Sequence, residues 1–188
     1  MTIHIAVCGL RSALLIQRFF PHPDFTIEYN DYPVETAGGA STTLYRRGRP
    51  TVLLLDSDSL EERAMMYQRA ELEPLFNRGH TVPPNRLIFA VPQLEAVLFE
   101  DRAGLERALG RRMTDEEAFE ARFRPRAVFE RLLGGGDVEA KAEAVIAALD
   151  AAALRKMRRH PVIQEIEAFA REVRRGETPA RARMRRAG

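Results

Sequence analysis

The sequence predicts an α/β protein with four mainly parallel strands, flanking helices and a C-terminal helical extension. Three observations carry that expectation. Short apolar runs, among them Ile3 to Val7, Thr51 to Leu55 and Arg86 to Val91, alternate with helix-like stretches over the first hundred residues. The spacing between runs leaves room for crossover helices, which parallel pairing requires. After Phe99 the strand character stops, and only helical segments follow.

Taken in order, Ile3 to Val7 is a fully apolar strand, and Gly9 supplies its turn. Ser12 to Phe20 reads as a helix that stops at Pro21-His22-Pro23. Phe25 to Tyr29 is the second strand. Gly38-Gly39-Ala40-Ser41 reads as a loop leading into a short helix that ends near Gly48. Thr51 to Leu55 is the third strand. Ser59 and Glu62 fit a capping box that opens a helix through about Phe76. Gly79 and Pro83-Pro84 break that helix, and Arg86 to Val91 is the fourth strand. Pro92 suits the first position of another helix. Beyond it, Leu105 to Leu109, Thr114 to Phe123, Arg126 to Leu133, Val138 to Met157 and Pro161 to Arg174 read as helices. Thr114 with Glu117 forms a second capping box, and Asp137 caps the long alanine-rich helix behind the Gly134-Gly135-Gly136 joint. The chain divides into an α/β part over residues 1–101, a helical extension over 102–175, and a basic, frayed tail over 176–188.

Composition narrows the classes. A chain of 188 residues that is 45% apolar can bury one good core. No apolar run reaches the roughly 20 residues that span a bilayer, so no membrane partner is expected. No basic stretch precedes the N-terminal apolar run, so it does not read as a signal peptide. Cys8 is the only cysteine, which excludes an internal disulfide and a cysteine zinc cluster. These features favour the cytoplasm. The net charge of +2 is uneven: Arg171 to Gly188 holds seven arginines and two glutamates, so the body of the chain is acidic.

The chemistry is expected at one edge of the sheet. Val52-Leu53-Leu54-Leu55-Asp56-Ser57-Asp58 is a buried-strand run that ends in two carboxylates. In a strand, residues i and i+2 face the same side. Two like charges about 4 Å apart repel by roughly 4 kcal/mol at an effective dielectric near 20. A cation between them removes that cost, and Mg²⁺ or Mn²⁺ suits all-oxygen ligands. The bland alternative is that Asp56 and Asp58 open a turn and cap the next helix. Ligands of open parallel sheets bind beyond the carboxyl ends of the strands. Glu95, shortly after the fourth strand, would meet Asp56 and Asp58 there. As a competing reading, an acid in the first turn of a helix simply complements the helix dipole.

These residues resemble a known family. An N-terminal strand with a glycine turn, a four-strand parallel pattern and a strand ending in Asp56-Ser57-Asp58 are similar to a Toprim domain. Toprim is the metal-binding domain of topoisomerases, primases and the overcoming-lysogeny-defect nucleases. Ala90-Val91-Pro92-Gln93-Leu94-Glu95-Ala96-Val97-Leu98-Phe99-Glu100-Asp101 resembles a stretch in Toprim-like proteins of that nuclease group. The resemblance covers roughly residues 3–101. It implies a Toprim-like sheet and a Mg²⁺- or Mn²⁺-dependent nuclease of the kind that serves phage defence. Asp56, Asp58 and Glu95 would then be metal ligands, with Asp56 and Glu95 taking part in catalysis. The departure is at the end of the first strand. There the family has glutamate before glycine and a second acid some five residues on, whereas this chain has Cys8 and Ala13. A thiol does not replace a carboxylate toward a hard cation. The alternative implied is a non-catalytic interaction or regulatory subunit that works with a separately encoded ATPase. A homodimer is compatible with either.

Other patterns carry less. His4, His22, His80 and His160 form no zinc-type spacing, and no nucleophile elbow, P-loop or dinucleotide fingerprint is present. Gly38 to Thr43 could offer backbone amides to a phosphate at a helix start, but it lacks the lysine. Asp56-Ser57-Asp58-Ser59-Leu60 resembles the opening motif of haloacid-dehalogenase phosphatases, yet sits on the third strand instead of the first. Asp-x-Asp also occurs in metal-dependent sugar transferases, with no other feature here in support. In the tail, Arg174, Arg175, Arg183, Arg185 and Arg186 are candidates for nucleic-acid phosphates, against a solvated end as the bland reading. Phe119, Phe123 and Phe129, at near-helical spacing, read as core contacts between helices.

Overall fold

A computed structural model describes residues 1–77 and 83–176. Strands β1 (Ile3–Cys8), β2 (Phe25–Asn30), β3 (Thr51–Asp56) and β4 (Asn85–Ala90) form one sheet in the order β2-β1-β3-β4. All three pairings are parallel, with Ile5 beside Ile27 and Val52, and Leu54 beside Ile88. The predicted α/β class with a four-stranded sheet and C-terminal helices is what the chain adopts. The central strands β1 and β3 are apolar almost throughout because both of their faces are covered.

Residue parity assigns those faces. Ile3, Ile5, Val7, Val52, Leu54, Ile88 and Ala90 join one core with α1 (Leu10–Phe19) and the C-terminal helices. Ala6, Leu53, Leu55 and Leu87 join a second core on the other face, under α2 (Pro33–Arg47) and α3 (Glu62–Phe76). Asp56 has the parity of Val52 and Leu54. It therefore faces the side of α1 and the C-terminal helices, at the carboxyl edge.

The loop expected at Gly38-Gly39-Ala40-Ser41 is instead the interior of α2. Two interior glycines cost about 1 kcal/mol each relative to alanine. Packing overrides that cost, because Ala37, Ala40, Ser41 and Leu44 form a stripe at i, i+3, i+4 and i+7 that is buried against the sheet. The amides of Gly38 to Thr43 are thus spent inside a helix and offer no phosphate cradle.

Beyond β4 come a 3₁₀ segment (Leu94–Asp101), α4 (Arg102–Leu109), α5 (Asp115–Glu120), α6 (Pro125–Leu133), α7 (Val138–Ala148), α8 (Ala151–Met157) and α9 (Pro161–Arg174). Thr114 and Glu117 make the reciprocal capping box, and Asp137 accepts the Ala140 N–H at 3.0 Å. The Ser59–Glu62 box does not form. Ser59 Oγ accepts the Glu61 N–H in a turn, and α3 starts at Glu62 without a side-chain cap. The expected helix over Val138 to Met157 is two helices. Asp150 ends the run by capping α8, accepting the Ala153 N–H at 2.7 Å. Pro92 precedes an extended Gln93, so the helical segment begins at Leu94. Among the described residues, no helix is long and apolar enough to cross a membrane.

Candidate functional site

Two backbone features build the site. Where β3 leaves the sheet, the Ser57 N–H donates to the Ala90 carbonyl at 2.9 Å, and the Asp58 N–H to the Pro92 carbonyl at 2.8 Å. These bonds tie the exit of β3 to the exit of β4. They hold Asp58 at φ +49°, a left-handed conformation that aspartate tolerates better than most residues. Asp58 therefore lies past the strand, and its in-strand pairing with Asp56 is replaced by a turn. Asp56 Oδ1 accepts the Leu94 N–H at 2.7 Å, which docks the start of the 3₁₀ segment and brings Glu95 into the same corner.

Asp56, Asp58 and Glu95 converge on one cation, and that cation is Arg126. Its Nη2 donates to Asp56 Oδ2, its Nε donates to Glu95 Oε1 at 3.0 Å, and its Nη1 stands 4.0 Å from Asp58 Oδ1. Gln93 straps the group together: its Nε2 donates to Asp58 Oδ1 at 2.7 Å, and its Oε1 accepts the Arg126 N–H at 3.3 Å. Arg11 approaches from α1. Its Nη1 lies 3.5 Å from Glu95 Oε1 and donates to Glu130 at 3.0 Å, while its Nη2 donates to Glu139 at 2.6 Å. Among the described residues, no three His, Cys, Asp or Glu side chains surround a common point as a metal shell, and the guanidinium of Arg126 lies where the carboxylates converge.

Charge balance is nevertheless incomplete. Glu95 is 3% exposed, and its Oε2 is buried without a hydrogen-bond partner. A buried acceptor left unmade costs about 1–3 kcal/mol, and more when charged. The cavity beside it holds about 540 Å³ and is lined by six carboxylates against only two arginines. Burial pushes the Asp56 carboxyl up, the charge of Glu95 pushes it further, and Arg126 pulls it back, leaving it at about 6 against an ordinary 3.8. Burial works against the charge on Arg126, but Glu95 and Asp56 outweigh it and raise its pKa.

That balance gives an expected result for Asp56→Asn. Because the folded pKa lies above the unfolded one, this carboxyl favours folding fully only below about pH 3.8. The contribution is lost as pH rises through 6. Removing the charge is expected to stabilise the protein by about 2–3 kcal/mol at pH 8 and by only about 1 kcal/mol at pH 4.5. Thermal melts at the two pH values check it. Equal shifts at both would show that the buried charge is not the cause.

Cys8, at the end of β1, lines the same cavity, and its Sγ donates to the Asp31 carbonyl at 3.4 Å. Burial first, and then the charge of Asp56, raise its pKa, so it stands there as a neutral thiol. Ala13 is buried in α1.

Two of the arginines proposed for nucleic acid, Arg174 and Arg175, lie elsewhere. Arg174 donates to Asp24 at 3.0 Å, just before β2 begins, and so sits at the opposite edge of the sheet from Asp56. Arg175 ends α9 beside it. Arg183, Arg185 and Arg186, like His80, lie outside the described residues.

Sequence reasoning missed Arg11 and Arg126, although a signal existed. Each is the second residue of a helix, where the dipole disfavours positive charge. An arginine kept there needs acids brought by another part of the chain. Comparison of the chain with protein-family models, curated proteins and solved structures returns no match.

Proposed function

We propose that this chain is a Toprim-like protein that acts on nucleic-acid phosphodiesters with a divalent cation, Mg²⁺ or Mn²⁺, drawn to Asp56, Asp58 and Glu95. One observation carries the reading. Glu95 Oε2 is a buried carboxylate oxygen without a partner, in an acid-lined cavity at the carboxyl edge of a parallel sheet. The donors are all hard oxygens, which fits such a cation in chemistry. The fit requires Arg126 to swing away. Its side chain is 35% exposed at the start of α6, so solvent is open to it. When bound, the cation would polarise a phosphoryl oxygen and lower the pKa of its water.

The chain's own groups supply the rest. The excess of carboxylates repels a bare phosphate, so substrate and cation would enter together. Arg126, once released, stands at the rim and can hold a phosphate oxygen through its planar fork. Glu95 would orient an attacking water. The test is cleavage of DNA and RNA with Mg²⁺ or Mn²⁺, comparing the wild type with Asp56→Ala. A loss of at least about a hundredfold is expected, and equal cleavage would remove Asp56 from the chemistry.

A second reading is a non-catalytic subunit partnered with a separately encoded ATPase. Two observations favour it: Arg126 already spans the carboxylates, and Cys8 ends β1 where the resembled family has glutamate. Calorimetry separates the two readings. Heat at millimolar Mg²⁺ supports the enzyme; silence, reversed by Cys8→Glu, supports the degenerate subunit.

A further inference from the structure

Phe119 and Phe123 are not core contacts. They are 61% and 50% exposed, while Phe129 is fully buried. Their rings form a tilted pair with centroids 5.5 Å apart. The segment that carries them is well fixed. Ala121 and Pro125 are buried on either side, the Phe123 and Arg124 N–H groups both donate to the Glu120 carbonyl, and Arg131 clamps Glu120 from α6. Two exposed aromatic rings in contact on a rigid turn need an explanation, because apolar residues scattered singly over a surface are ordinary but contiguous apolar patches mark interaction sites.

Charge indicates what covers them. Arg122 and Arg124 flank Phe123, are exposed, and form no ion pair among the described residues. The acids of the adjoining helix are largely taken. Asp115 binds Arg102, Glu117 binds Arg111, and Glu120 binds Arg131, which leaves Glu116. A cavity of about 360 Å³ runs from Phe123 and Arg124 to Asp58 and Arg126, joining this surface to the acidic corner.

We infer that the Phe119–Phe123 pair with Arg122 and Arg124 is a landing surface for single-stranded nucleic acid, which feeds the strand toward Asp58 and Arg126. This deepens the nucleic-acid reading above and takes it as a premise. Stacking on an exposed ring requires a base free of its duplex, and it tolerates any base because each has a π-face. The exposed faces of the two rings, tilted against each other, each offer a stacking surface. The two arginines supply positive charge for the flanking phosphates at the rim, beside the acidic corner.

Binding is measured apart from cleavage, in EDTA, by fluorescence anisotropy of labelled oligo(dT). The wild type is expected to bind, and Phe119→Ala with Phe123→Ala to weaken binding by about tenfold or more. Phe123→Trp should retain affinity where Phe123→Leu loses it, which separates stacking from mere apolar contact. Arg122→Ala with Arg124→Ala should lower the salt slope by about 1.4. Because these side chains are exposed, melting temperatures should not change. No binding by the wild type, unchanged binding by the double phenylalanine variant, or equal competition by duplex would overturn the inference. So would sedimentation showing a dimer that the phenylalanine variants dissolve, since a second copy of the chain would then be the occupant. A cleavage test that fails while oligo(dT) binds through these rings counts against the hydrolase and leaves the landing surface standing.

Discussion

Arg126→Ala is expected to destabilise the protein by about 3–4 kcal/mol at pH 8 and by far less at pH 5. The substitution leaves Asp56 and Glu95 in one corner without the cation between them, and an uncompensated buried charge is the expensive outcome of breaking such a pair. The pH dependence follows from Asp56. Its carboxyl already titrates at about 6, and losing the guanidinium moves it higher, so acid neutralises it and relieves the repulsion. Urea unfolding at the two pH values measures the difference. Arg126→Lys should recover only part of the loss, because an ammonium is a point charge and cannot turn a separate planar N–H group to each of the acids that Nε, Nη1 and Nη2 face. Added Mg²⁺ tests the proposed site in the same experiment. If it stabilises Arg126→Ala more than the wild type, cation and guanidinium compete for one place. If it stabilises neither, the corner is an arginine site alone.

Phe129→Ala is expected to cost about 3–5 kcal/mol, the usual range for emptying a large buried aromatic site. Phe129 has no exposed surface and lies in α6, one turn beyond Arg126, within the core shared with the sheet. Loss of its ring also loosens the helix that delivers the guanidinium, so oligonucleotide binding and any cleavage should fall together with stability. Phe119→Ala is the matched control, expected within about 0.5 kcal/mol of the wild type because its ring is already in water. Equal losses from the two substitutions would contradict the burial that separates them.

Those phenylalanines also mark how far the sequence could be read. Near-helical spacing groups Phe119, Phe123 and Phe129 as contacts between two helices. However, α5 ends at Glu120, so Phe123 lies in the turn before α6, and of the three only Phe129 reaches the core. The strands were legible because β1 and β3 are apolar runs closed by a glycine turn and by aspartate. Their lateral order is set by long-range pairing that no local pattern encodes. Asp56 and Glu95 were legible because strand ends in a parallel sheet lie at one edge. Arg126 was not, since it reaches Asp56 across 70 positions of chain and through helices whose packing is tertiary. The glycines at 38 and 39 misled for the opposite reason: a local breaker signal lost to a buried stripe of small side chains.

The sheet's first face has a consequence for biosynthesis. Its cover includes Val162, Ile163, Ile166, Phe169 and Val173 of α9, the last helix described. On a translating ribosome, the four strands emerge well before that cover exists. In the nascent first half α1 already shields β1 and β2, while the strip of that face along β4 stays open until residue 173 clears the exit tunnel.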